Sequence, residues 1–79
     1  MDELEAGKQK FLEVVQDIDS TVEVVIPTTP SNSLFLISLT KGASRKFITV
    51  PEDDVLDLPS EDDILAKTTT MLKEAIESL

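Results

Sequence analysis

Seven carboxylates fall within twelve positions of this 79-residue chain: Glu52, Asp53, Asp54, Asp57, Glu61, Asp62 and Asp63. Hard oxygen donors at such density are the ligand type that Ca²⁺ and Mg²⁺ take. An EF-hand loop counted from Glu52 requires glycine at its sixth position and glutamate at its twelfth. Asp57 and Asp63 stand there instead, and Leu56 occupies a ligand position. No specific metal is therefore expected. Pro51 and Pro59 frame the run, and acids just ahead of a helix suit the positive end of its dipole. The remaining chemistry of the segment is electrostatic: a solvated face, or an acidic surface for a basic partner.

Catalysis has little to work with. The chain contains no His, Cys, Tyr or Trp, so the usual general bases and covalent nucleophiles are missing. A carboxylate pair needs a cleft that drives its two pKa values apart. Acids crowded on one surface segment do not supply that, and a chain this small offers little cleft. The protein is expected not to be an enzyme, and no residue pattern calls for a cofactor.

Lys41, Arg45 and Lys46 are the one cluster of positive charge. On a strand edge such charges discourage strand addition. The chain's net charge of −9 makes three cations a weak lure for phosphate. The same field disfavours nucleic acid and anionic membranes, so neither is an expected partner. The longest apolar runs are far too short to span a bilayer. The acidic start, Met1-Asp2-Glu3-Leu4-Glu5, differs from the basic and then apolar opening of a signal peptide. Absence of cysteine points to a reducing setting. A cytoplasmic location is the expectation.

The elements that must carry these residues follow from periodicity. Leu4, Phe11, Val15 and Ile18 recur at helical spacing and predict a helix from Asp2 to Ile18. Gly7 weakens its first turns. Asp19-Ser20 interrupts the pattern. From Thr21 to Ile26, Val22, Val24 and Ile26 alternate about Glu23, which predicts a half-buried strand. The segment 27–33, with Pro27 and Pro30, is a loop. Leu34 to Thr40 is apolar on both sides, with Leu34 and Leu36 opposite Phe35, Ile37 and Leu39, as in the central strand of a sheet. Lys41-Gly42-Ala43-Ser44 predicts a tight turn with Gly42 at positive φ, and Arg45 to Val50 a return strand. Val55, Leu56 and Leu58 suit a short helical turn. Ser60 as N-cap with Asp63 three residues on predicts the start of a last helix. Its apolar stripe runs from Ile64 to Leu79, and Thr68-Thr69-Thr70 must be held by packing.

One small α+β domain over 1–79 results: helix, three-stranded antiparallel meander, helix, with both helices on one face as the simplest assembly. Helix–meander–helix is also the element order of double-stranded RNA-binding domains. Those domains grip phosphate with basic residues at the start of the second helix. Ser60-Glu61-Asp62-Asp63 stands at that position here and would repel phosphate, so order alone does not carry that function.

Two helices can cover only one face of three strands, whereas the central strand is apolar on both. A patch left bare on a monomer marks a binding surface. The expected function is a small protein-interaction module that self-associates or docks on a larger protein through its sheet. The expected contact residues are Phe35, Ile37, Leu39, Ile48 and Val50, with Leu34 and Leu36 as the alternative set if the helices cover the other face. A second reading makes the 52–63 segment a decoy that occupies a basic, nucleic-acid-binding groove.

Overall fold

Apolar spacing at two periods, 3.6 in the helices and 2 in the strands, builds one core from six elements. The computed structural model describes residues 3–79. In chain order they are α1 (Glu3–Ile18), β1 (Glu23–Val25), β2 (Leu34–Lys41), β3 (Ser44–Pro51), α2 (Glu52–Asp57) and α3 (Asp62–Glu77). The α+β class and the antiparallel meander agree with the sequence reading. The predicted start of the first helix at Asp2 lies outside the described residues.

The sheet runs in the order β1-β2-β3, both pairs antiparallel. Its register is set at the β2–β3 turn, where Lys41 pairs with Ser44 and leaves Gly42-Ala43 as the loop. Gly42 has φ +61 while Ala43 stays out of the positive region, the φ pattern of a II′ hairpin turn with glycine first. Asn32 and Ser33, both at positive φ, form the second tight turn. Ser31 and Leu34 exchange backbone hydrogen bonds across it at 2.8 and 3.0 Å. β1 is shorter than the predicted Thr21–Ile26 strand: only Glu23, Val24 and Val25 pair with β2.

All three helices contribute to the core that covers one face of the sheet. Phe11, Val14 and Val15 of α1, Val55 of α2, and Leu72, Ala75 and Ile76 of α3 pack in one buried cluster with Phe35, Ile37, Leu39, Ile48 and Val50. Burial of these side chains, at about 1.5–3 kcal/mol each when complete, is the main contribution holding the layers together. Lys8 lies over the Phe35 ring, 5.3 Å from its centroid, and donates to the Thr28 carbonyl at 3.1 Å. The long β1–β2 loop is thereby tied to α1.

The helix boundary near residue 60 differs from the expectation. Leu58-Pro59-Ser60 completes the turn after α2, with the Ser60 and Glu61 amides both bonded to the Asp57 carbonyl. Glu61, extended at φ −110 and ψ 107, is the residue before α3, and no side chain caps the helix. Ser60 is drawn into the preceding turn, so its hydroxyl is not the cap. Asp62 and Asp63 still occupy the first turn, where the dipole favours them. The threonine run is accommodated within the helix: Thr69 Oγ1 donates to the Leu65 carbonyl at 2.7 Å and Thr70 Oγ1 to that of Ala66 at 3.1 Å, the back-bonding such hydroxyls use.

Candidate interaction surface

The ladder assigns every strand residue to one face, because directly paired residues point the same way and neighbours alternate. One face carries Phe35 opposite Val50, Ile37 opposite Ile48, and Leu39 between Val24 and Lys46. It is the face beneath the helices. Phe35, Ile37, Leu39, Ile48 and Val50, the residues expected to meet a partner, are buried in the core of the chain itself. They are corrected to structural residues: α1, α2 and α3 already shield them from water.

The alternative set lies open. Its rows, read across the sheet, are Glu23–Thr40–Arg45, Val25–Ser38–Phe47, Leu36–Thr49 and Leu34–Pro51. Val25 is 63% exposed, Leu36 58%, Phe47 57% and Leu34 40%. Four of the five large apolar side chains left exposed among the described residues are on this one face; the fifth, Leu12, lies on α1. Alternation along the sequence points to Leu34 and Leu36 and gives Phe47 an orientation without a role. Val25 escapes such a reading, because its place in the patch emerges only when it is aligned with Ser38 and Phe47.

Charge divides between the two faces as well. Lys41 and Lys46 lean to the helix side and fasten sheet to helices. Lys41 Nζ sits 2.6 Å from Asp19 Oδ2, and Lys46 Nζ donates to Ser78 Oγ at 2.7 Å. Asp19 also accepts from the Thr21 amide at 3.0 Å and the Thr21 hydroxyl at 2.6 Å. The Lys41 ammonium, with these two donors, holds its carboxyl well below the usual carboxylate range. Arg45 alone of the three cations points to the open face. With Glu23, at the other end of the same row, it makes up the entire charge of that face, in a chain of 16 acids and 7 bases.

The acids of the 52–63 segment are spread over α2, the turn after it and the first turn of α3. Asp53, Asp57, Glu61, Asp62 and Asp63 are exposed, and Glu52 and Asp54 are half-buried. Asp54 is paired with Lys67 at 3.1 Å, which ties α2 to α3. No trio of acids is arranged to hold a metal ion among the described residues. A shallow groove between α1 and α3 is lined by Lys10, Asp17, Leu65, Lys73 and Glu77. Its charges are mixed, and no buried side-chain polar atom among the described residues lacks a partner. No described helix is long and apolar enough to cross a membrane.

The chain matches no protein-family model, no curated protein and no solved structure.

Proposed function

We propose that this protein is a protein-interaction module whose contact surface is the open face of the sheet. The observation that carries the reading is the cluster Val25, Leu34, Leu36 and Phe47, four large apolar side chains exposed side by side on three hydrogen-bonded strands. Scattered exposed apolar residues need no explanation, whereas a contiguous group on a rigid platform marks a place where water is displaced by a partner. Phe47 is the largest of the four and supplies the kind of aromatic anchor that dominates interface energetics. It stands on a paired strand, so little conformational freedom is lost on docking.

The competing reading, an acidic decoy, draws on the 52–63 segment. Its acids are distributed over three elements, and Asp54 is engaged by Lys67. A phosphate mimic needs its charges in a regular row, and nothing comparable to the sheet's alignment orders them.

The test uses the full chain as bait in a native lysate, beside Leu36→Lys and Phe47→Thr variants whose unfolding midpoints are first compared with the parent. Both substitutions fall on exposed positions and should leave the fold intact, within about 0.5 kcal/mol. Proteins retained by the parent, further copies of this chain included, should be lost from both variants. Retention unchanged by both substitutions overturns the reading.

A further inference from the structure

We infer that the occupant of the open face is a second copy of this chain, docked sheet to sheet about a two-fold axis that runs along β2. This inference rests on the interaction reading above and adds the partner and the geometry.

A two-fold axis lying between two sheets and parallel to their central strands keeps the height along each strand and exchanges left for right. β1 of one copy then lies over β3 of its mate at the same row. The pairs this creates can be read from the register. Glu23 meets the mate's Arg45 and Arg45 meets the mate's Glu23, because both belong to the row through Thr40. One row further along, Val25 meets Phe47 twice, a small side chain against a large one. Leu36 and Leu34, on the central strand, meet their own copies near the axis. Such self-complementarity is what an isologous interface requires. The ≈ 30° offset that twisted sheets adopt when they pack is accommodated when the axis bisects it.

The other in-plane axis, across the strands, leaves both charges unmatched. It lays β1 over β1 and β3 over β3 with the rows reversed. Arg45 is then carried to the Thr49 and Pro51 end of the mate's β3, and Glu23 finds no cation. Only the axis along β2 satisfies both charges. Neither Glu23 nor Arg45 forms an ion pair with another described residue, so both are available for it.

The distribution of charge makes the open face the side on which a second copy is opposed least. Two copies that each carry −9 repel one another over most of their surfaces. On the open face the one acid and the one base cancel, so it is a neutral surface through which like molecules can approach. A strongly basic partner would find no acidic excess there. β2 and β3, eight residues each, with the three-residue β1 beside them, give a footprint of at most roughly 15 by 27 Å at about 4.8 Å between strands and about 3.4 Å per residue. That is below the standard size of specific interfaces and in the class of weak, transient encounters, so self-association should show only at high protein concentration.

The experiment is sedimentation equilibrium of the purified full chain at moderate salt, with four variants: Glu23→Arg, Arg45→Glu, the double swap E23R/R45E, and Leu36→Lys. The first should dissociate about tenfold more readily than the parent, because the arginine introduced at position 23 faces the mate's Arg45 at both ends of the interface. The second should do likewise, because the carboxylate introduced at position 45 faces the mate's Glu23. Mixed one to one, the two single variants should assemble with each other. The double swap, which keeps the net charge of the parent, should regain its affinity, and that recovery also shows that neither substitution unfolds the chain. Leu36→Lys should not self-associate.

A parent chain that stays monomeric at about 2 mM overturns the second copy as occupant. The face itself then stands or falls on whether Leu36→Lys loses proteins captured from lysate. Self-association abolished by Leu36→Lys but indifferent to the charge swaps overturns the axis along β2 and leaves the face in place. Self-association unchanged in Leu36→Lys removes both.

Discussion

Gly7 of α1 lies against the carbonyl oxygen of Val55 in α2, so close that a Cβ at position 7 would fall well inside van der Waals contact of that backbone atom. Gly7 is buried, and the missing side chain is what lets the short helix settle onto the long one. Helix propensity alone makes Gly7→Ala favourable by about 1 kcal/mol. The clash outweighs that gain, since the obstacle is backbone and not the tip of a flexible side chain; forcing extra volume into a packed site costs about 1–3 kcal/mol, and this contact is at the severe end. Gly7→Ala should therefore lower stability by about 1 kcal/mol or more in urea unfolding. Gln9→Ala, at an exposed position of the same helix, should change it by less than about 0.5 kcal/mol. A Gly7→Ala chain as stable as the parent would show that α2 does not pack where described.

Asp19 clasps Lys41 at 2.6 Å and Thr21 through two further hydrogen bonds, joining the end of α1 to the turn between β2 and β3. Its carboxyl titrates below the ordinary value of 3.8 in the folded state, chiefly because of the Lys41 hydrogen bond. A depressed carboxylate contributes stability above its unfolded pKa and loses it as pH falls toward the folded value. Asp19→Asn should accordingly melt at a lower temperature than the parent at pH 6. The gap should narrow once the pH drops below about 4, and close under strongly acidic conditions. Thermal melts at pH 6, 4 and 2 read this directly. A gap independent of pH would mean that the asparagine loses geometry and not charge. Because the pair is exposed to solvent, moderate salt should also shrink the gap.

How much of the fold is legible in the sequence depends on the range of the interactions that cause it. The β2–β3 hairpin is readable because its causes are local: alternating residues on both arms and Gly42 where a tight turn needs positive φ. The first helix is readable from Phe11 and Val15. Gly7 reads only as a weak helix former, because its reason for being there sits far along the chain, at Val55. β2 carries part of the choice of covered face, because Ser38 and Thr40 follow Leu34 and Leu36 on one side while Phe35, Ile37 and Leu39 run uninterrupted on the other. The neighbours supply the rest: Glu23, Arg45 and Thr49 share the face of Leu34 and Leu36, whereas the other face has no polar residue at its centre. The part carried by the neighbours emerges only after three strands are placed in register. The cluster Lys41, Arg45 and Lys46 misleads for the same reason, because strand alternation sends Arg45 to one side of the sheet while the two lysines bond on the other.

Ionic strength separates the two functional readings most sharply. Two bodies of charge −9 with centres roughly 25 Å apart repel by about 6 kcal/mol at 0.01 M salt and by about 1 kcal/mol at 0.1 M. The two Glu23–Arg45 contacts across a dimer contribute at most about 1 kcal/mol each and are screened over the same range. Repulsion outweighs them, so self-association through the open face should tighten by at least about a hundredfold between 0.01 and 0.15 M NaCl. Neutralising exposed acids far from the face, as in the triple variant Asp53→Asn, Asp57→Asn and Glu61→Gln, should tighten it further at low salt and change little at high salt. Docking of the 52–63 segment into a basic groove makes the opposite forecast on both counts: binding weakens as salt rises, and the same triple variant loses it. Sedimentation equilibrium of parent and triple variant at 0.01, 0.05 and 0.15 M NaCl reads the first forecast, and capture of basic proteins from lysate by the same two chains over the same salts reads the second; together they decide between an apolar face that must overcome the charge of the chain and an acidic segment that depends on it.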